Sequence, residues 1–302
     1  MDHFEIEPKG PYSFAQSVRF LEGFVPAAYK GGSSGLLRLA FTVDGGEDVA
    51  GVKVRSEGGV IVGEVYSEAD PELVRKQVAR ILSLDLDGSG FAEVGERDPV
   101  VKRLQERYPG LRPVLFYSPY EAAAWAIIGN RIRIVQAAKV KARMAEELGS
   151  VVEIAGEKEH AFPSPARLAQ LEDFPGLFGR KVEYLRHLGR EAAGGKLEAD
   201  LLRSMPVEEA LDGLKKLPGI GPFSAELILL RGAGEPDYLP TNEPRLGRAV
   251  AMAYELDEPP NVAELEEIAE LWRPYRTWVS LYLRTMLEDE TGEISGGAKE
   301  AT

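Results

Sequence analysis

The residues best placed to do chemistry lie between positions 206 and 245. Leu217-Pro218-Gly219-Ile220-Gly221 is preceded by Pro206 to Lys216, in which Leu211, Leu214 and Leu217 share one helical face. It is followed by Pro222-Phe223-Ser224-Ala225-Glu226-Leu227-Ile228-Leu229-Leu230, an apolar helix with proline in its first turn. The two glycines permit a tight turn between the helices. That turn leaves backbone N–H groups without intrahelical partners at the positive end of the second helix. An anion such as a DNA phosphate fits there without any side-chain charge. A Gly/Pro-rich loop, Arg231 to Pro244, then carries Asp237, Asn242 and Glu243 into another helix.

The elements that must position these groups fall into two parts. Leu37, Leu39, Phe41 and Val43 alternate with polar or small residues, as in a half-buried strand. Val52 to Arg55 and Val60 to Val62 flank Ser56-Glu57-Gly58-Gly59, a hairpin signal. Asp70-Pro71 opens a helix whose buried face is expected to hold Leu73, Val74, Gln77, Val78, Ile81 and Leu82. Beyond Leu84 to Gly90 the pattern turns almost wholly helical. Ser118-Pro119-Tyr120-Glu121 reads as a capping box, and Ala122 to Ile128 is apolar all round. Gly129-Asn130-Arg131 interrupts it, and Ile132 to Leu148 is amphipathic with a basic wet side. Helix starts are marked again at Ser164-Pro165 and Asn261. The expected fold class is α+β: a small N-terminal antiparallel sheet domain with helices (1–90), then a mostly α-helical domain (91–290), then a disordered tail (291–302). There is no internal repeat.

The totals exclude several classes. At 302 residues, with 44% hydrophobic and 28% charged residues, the composition is that of a soluble globular protein. No run approaches the ~20 apolar residues of a membrane span. The acidic N-terminus lacks a signal-peptide pattern, so a cytoplasmic location is expected. The chain has no cysteine, which rules out disulfides, thiolate zinc sites and iron–sulfur clusters. His3, His160 and His187 show no ligand spacing, and no catalytic metal or cofactor is expected. The net charge of −13 argues against a nucleic-acid partner only when averaged over the surface. Basic residues gather at 131–143 (Arg131, Arg133, Lys139, Lys141, Arg143), at 180–190, at Lys215 and Lys216, and at Arg245 and Arg248.

The hairpin, the Gly/Pro-rich loop and the polar residue that follows resemble, in that order and spacing, the helix-hairpin-helix DNA glycosylase superfamily. Ser118 to Asn130 is similar to the segment ending in Ile-Leu-Gly-Gln of DNA-3-methyladenine glycosylase II, and Trp272-Arg273-Pro274-Tyr275-Arg276-Thr277 to its C-terminal Trp-Arg-Pro-Trp/Tyr-Arg-Ser/Thr. The resemblance spans roughly residues 90–290 and implies release of alkylated purines, 3-methyladenine and 7-methylguanine, from double-stranded DNA. The damaged base is swung into a pocket, and a carboxylate stabilises an oxocarbenium-like sugar. A nucleoid-associated monomer is implied.

The superfamily's catalytic aspartate falls on Asn242, which offers no negative charge; as a residue type it also suits a helix N-cap. Glu243 and Asp237 are the candidate substitutes. A lesion-binding protein that does not cut, and a glycosylase for deaminated bases, are the other readings. Phe223 stands where lyase-active members carry a lysine, so no Schiff base is expected. The resemblance assigns the base pocket to Tyr120, Trp125, Phe223, Leu227, Trp278, Tyr282 and Arg284, where aromatic rings favour a cationic base. It assigns the DNA contacts to Asn130, Arg131, Leu217, Pro218, Gly219, Ile220, Gly221 and Arg245. It also implies a monovalent cation on the carbonyls of Lys215, Leu217 and Ile220.

Overall fold

The computed structural model describes residues 2–23 and 35–292. The first part comprises β1 (Asp2–Ile6), α1 (Phe14–Gly23), β2 (Leu36–Thr42), β3 (Val49–Glu57), β4 (Val60–Val65) and α2 (Pro71–Ile81). Its strands form an antiparallel sheet in the order β1-β4-β3-β2. β3 and β4 join through Gly58 and Gly59 alone, with φ of 59° and 91°. Two left-handed residues give a turn whose twist suits the paired strands, and Glu57 registers with Val60. Asp70 caps α2 through the amide of Glu72 at 2.8 Å, with Pro71 at the first position. Val74, Val78 and Ile81 bury against Leu37, Leu39 and Val54 of the sheet. Leu73, expected on that face, is 49% exposed: it lies one position outside the stripe that meets the sheet.

The helical part begins with α3 (Phe91–Arg97) and α4 (Pro99–Arg107), then α5 (Pro119–Gly129) and α6 (Ile134–Leu148). β5 (Val151–Ile154) and β6 (Glu157–His160) follow as an antiparallel hairpin that the sequence did not announce. It sits on the four-stranded sheet. A Cβ on Gly51 of β3 would come within 2.3 Å of the Val152 side chain, so the missing side chain makes room for it. The remaining elements are α7 (Pro165–Ala169), α8 (Lys181–Ala193), α9 (Ala199–Ser204), α10 (Val207–Lys215), α11 (Pro222–Ile228), α12 (Pro244–Tyr254), α13 (Val262–Ala269) and α14 (Arg276–Thr291). α11 continues into a π-helical turn, Leu229–Ala233. A disordered tail was expected from residue 291, but Thr291 ends α14 and Gly292 closes it in the left-handed conformation at φ 69°; residues 293–302 lie outside the described ones.

α5 is buried on all sides, as its apolar sequence demands. Ser118 caps it through the Glu121 amide at 3.1 Å, but only half of the expected capping box forms. The Glu121 carboxylate instead meets Lys141 of α6 at 3.1 Å, which turns that lysine away from solvent. Two buried arginines bind the sheet part to the helices through backbone carbonyls. Arg80 of α2 donates to Gly232 at 2.6 Å and to Tyr117 at 3.0 Å. Arg112 donates to Pro11 and Ser83, each at 3.0 Å.

Candidate active site

The turn between α10 and α11 forms as expected, but its two glycines do different work. Gly219 has φ 86°, a backbone conformation that glycine adopts without strain. A Cβ there would also lie 2.6 Å from the Tyr184 ring of α8. Gly221 has φ −98° and open space where a Cβ would point. Leu217 and Ile220 are buried and anchor the turn, and the Ile220 amide donates to the Leu217 carbonyl at 3.1 Å. That bond uses one of the two lone pairs of the Leu217 carbonyl. The amides of the first turn of α11 have no helical partners.

A cleft opens one turn further along. Phe223, Glu226, Leu227, Leu230 and Arg231 line one wall, at the spacing of a single helical face, and Thr277, Ser280, Leu281 and Arg284 of α14 line the other. Pro240 and Glu243 close it. Phe223 is 43% exposed, large for a phenylalanine, and stands at the mouth.

The polar groups of this cleft divide sharply. Glu226 is 4% exposed. It accepts the Asn242 side-chain amide at 2.7 Å, the Asn242 backbone amide at 3.1 Å and the Tyr238 hydroxyl at 3.4 Å. Burial pushes its carboxyl above the usual range, the bonds from Asn242 work against that shift, and Glu243 adds to it. Glu243, not Asn242, caps α12, accepting the Arg245 amide at 3.1 Å. Its other carboxylate oxygen lies 3.5 Å from Arg284. Burial lowers the pKa of Arg284, opposed by Glu243. Arg231 donates to the Val114 carbonyl at 2.6 Å and is pushed down to about 9, by burial first and by Arg284 second. Asp237 is tied up elsewhere: it meets Arg273 at 3.1 Å and the Arg276 side chain at 2.9 Å.

The structure therefore brings together Phe223, Leu227, Arg284, Glu243 and, behind Glu226, the exposed Asn242. It sends four of the expected pocket aromatics elsewhere. Tyr120 is buried and donates to the Pro163 carbonyl at 2.8 Å. Trp125 lies in the core around α5. Trp278 packs edge-on against Phe91 with centroids 5.3 Å apart and sits beneath Arg112. Tyr282 donates to the Leu111 carbonyl. Both lie on a different face of α14 from Thr277, Ser280, Leu281 and Arg284, and that phase takes them out of the cleft. Asn130 and Arg131 are exposed at the end of α5, where Arg131 has φ 56°. Arg245 is half-buried beside the cap of α12.

Sequence reasoning missed Glu226, Leu230 and Arg231. The signal was available, since Glu226 is the one acid in Ala225-Glu226-Leu227-Ile228-Leu229-Leu230 and repeats at helical spacing with Phe223.

No protein-family model matches the chain. DNA-3-methyladenine glycosylase of Bacillus subtilis (strain 168) is 27% identical over 220 residues, which cover 72% of this chain and 73% of that protein. DNA-3-methyladenine glycosylase 2 of Escherichia coli (strain K12) is 31% identical over 188 residues, 60% of this chain and 62% of the other. The solved structure of a 3-methyladenine DNA glycosylase from Archaeoglobus fulgidus superposes with a TM-score of 0.78 at 25% identity, covering 95% of this chain and 98% of that one. In sequence and in fold, the chain resembles the helix-hairpin-helix DNA glycosylase superfamily, and within it DNA-3-methyladenine glycosylase II.

Proposed function

We propose that this chain is a monofunctional DNA glycosylase of base excision repair that removes 3-methyladenine and 7-methylguanine from duplex DNA, acting as a monomer. The observation that carries the reading is the cleft. It opens on the first turn of α11, directly beyond the hairpin, with an aromatic residue at its mouth and buried carboxylates in its wall. The backbone from Leu217 to Gly221 would hold a phosphate, and Arg245 would add a second DNA contact. Asn130 and Arg131 would fill the gap left by the extruded base. Phe223 and Leu227 would flank the base, whose positive charge suits an aromatic face and acidic neighbours. A carboxylate of the cleft would stabilise the sugar cation as the bond to the base breaks. Phe223 carries no amine, so the strand is left intact.

The measurement is release of free base from methylated duplex, with borohydride added to parallel samples containing an abasic site. We expect free methylpurine and no covalent protein–DNA adduct. Tight binding of methylated duplex without release would favour the second reading, a lesion-binding protein that does not cut, which the neutral Asn242 keeps in play. A trapped adduct would overturn the monofunctional assignment.

A further inference from the structure

We propose that Glu226 supplies the carboxylate that acts at the sugar, and that Asn242, at the superfamily's aspartate position, holds it there. The inference rests on the glycosylase reading above.

Three acids lie near the cleft, and their partners separate them. Asp237 is paired with Arg273 and Arg276. Glu243 spends one oxygen on the α12 cap and has the other facing Arg284. A carboxylate neutralised by a guanidinium has little field left for a developing cation. Glu226 is held by neutral donors instead: the two amides of Asn242 and the Tyr238 hydroxyl. Its charge is oriented but not cancelled. An ionised carboxylate has about four acceptor positions, and three are filled here, which leaves one for the cleft. A buried acid in an otherwise apolar helical stretch is costly, and such a group in a cleft is a candidate for function.

In the step assigned to it, the C1′–N bond breaks and its electron pair goes to the methylated purine. That base starts cationic and leaves neutral. The positive charge appears on the sugar beside Glu226. Water then forms the C1′–O bond, and its proton passes to Glu226 and on to solvent. Asn242 is a positioning residue, because it acts through Glu226. Its donors favour the ionised form against the upward push of burial. Of the other titratable or charged groups, Tyr238 from the loop and Glu243 at the start of α12 act on Glu226, and Arg231 and Arg284 line the same cleft.

The test is single-turnover release of 7-methylguanine from methylated duplex by the full chain. Glu226→Gln is expected to slow release by about 100-fold or more, the scale of losing one electrostatic stabiliser, while duplex binding stays within about threefold. The exchanged pair, Glu226→Asn with Asn242→Asp, returns the carboxylate to position 242 beside an amide and is expected to recover about tenfold of that loss. Asn242→Ala is expected to shift the acid limb of the pH–rate profile upward, which a purely structural role would not do. A folded Glu226→Gln that releases base within threefold of the parent overturns the assignment. If Glu226→Gln does not fold, an Asn242→Ala acid limb that coincides with the parent's overturns it instead. A parent that releases no base overturns the glycosylase reading itself, an outcome distinct from an active parent with an unaffected Glu226→Gln.

Discussion

The inside of the stretch from Glu226 to Asn242 and its two joined ends offer a controlled comparison. At its centre, Asp237 is gripped by Arg273 and Arg276, so its charge is matched ion for ion. At its ends, Glu226 and Asn242 meet as acid and amide, and the donor to the acid is neutral. The same residue class serves the fold in one place and lines a cleft in the other; the partner decides which. The two glycines of the hairpin divide in the same way. Gly219 is required by its backbone and by the ring of Tyr184, whereas Gly221 only keeps open a space that nothing in the protein fills.

The largest effect on stability is expected at Asp237. Asp237→Asn strips the charge from a partly buried cluster and is expected to cost about 2 kcal/mol in urea unfolding, with base release per folded molecule unchanged. A folded Asp237→Asn that no longer releases base would break the comparison, because Asp237 would then belong to the chemistry. Next comes Gly219→Ala, which is expected to cost about 1–2 kcal/mol because the left-handed backbone penalises a Cβ and the Tyr184 ring must move. Gly221→Ala should leave the melting temperature level or slightly higher, since its φ suits alanine, yet weaken duplex binding by crowding the amides proposed to hold a phosphate. Equal stability losses at the two glycines would erase the distinction.

The smallest effect is a gain. The folded-state pKa of Glu226 lies above its ordinary value. The native protein therefore holds this proton to a higher pH than the unfolded chain, and ionising the group costs stability. That cost is absent below the usual carboxylate range and complete above the raised pKa. Glu226→Gln should accordingly melt above the parent at pH 8, with the difference fading as the pH falls through the carboxylate range. A Glu226→Gln that melts below the parent at pH 8 would place Glu226 with Asp237, among the groups that hold the fold.

What the sequence made legible follows from where the physics is local. Asp70, Ser118, Ser164 and Asn261 cap the helices they were expected to cap, because a cap needs only its own first turn. The hairpin was legible from five residues for the same reason. The β5–β6 hairpin was not: Glu157-Lys158-Glu159-His160 has no apolar alternation, and its stability comes from docking at Gly51, a hundred residues earlier. The aromatic residues misled because residue type says nothing of helical phase. Trp278 and Tyr282 sit beside cleft residues in sequence and face the core in space. Glu226 escaped notice because its partner, Asn242, lies sixteen positions away.

Arg80 carries one further consequence. Its guanidinium belongs to the helix behind the N-terminal sheet, yet it donates to the carbonyl of Gly232, in the turn that extends the cleft wall. A cut in the chain near residue 90 would leave that carbonyl and a buried cation to find new partners. The sheet is thus a splint for the cleft as much as a neighbour to it. Substitutions in a part of the molecule remote from any base could then be felt as a loosened grip on one.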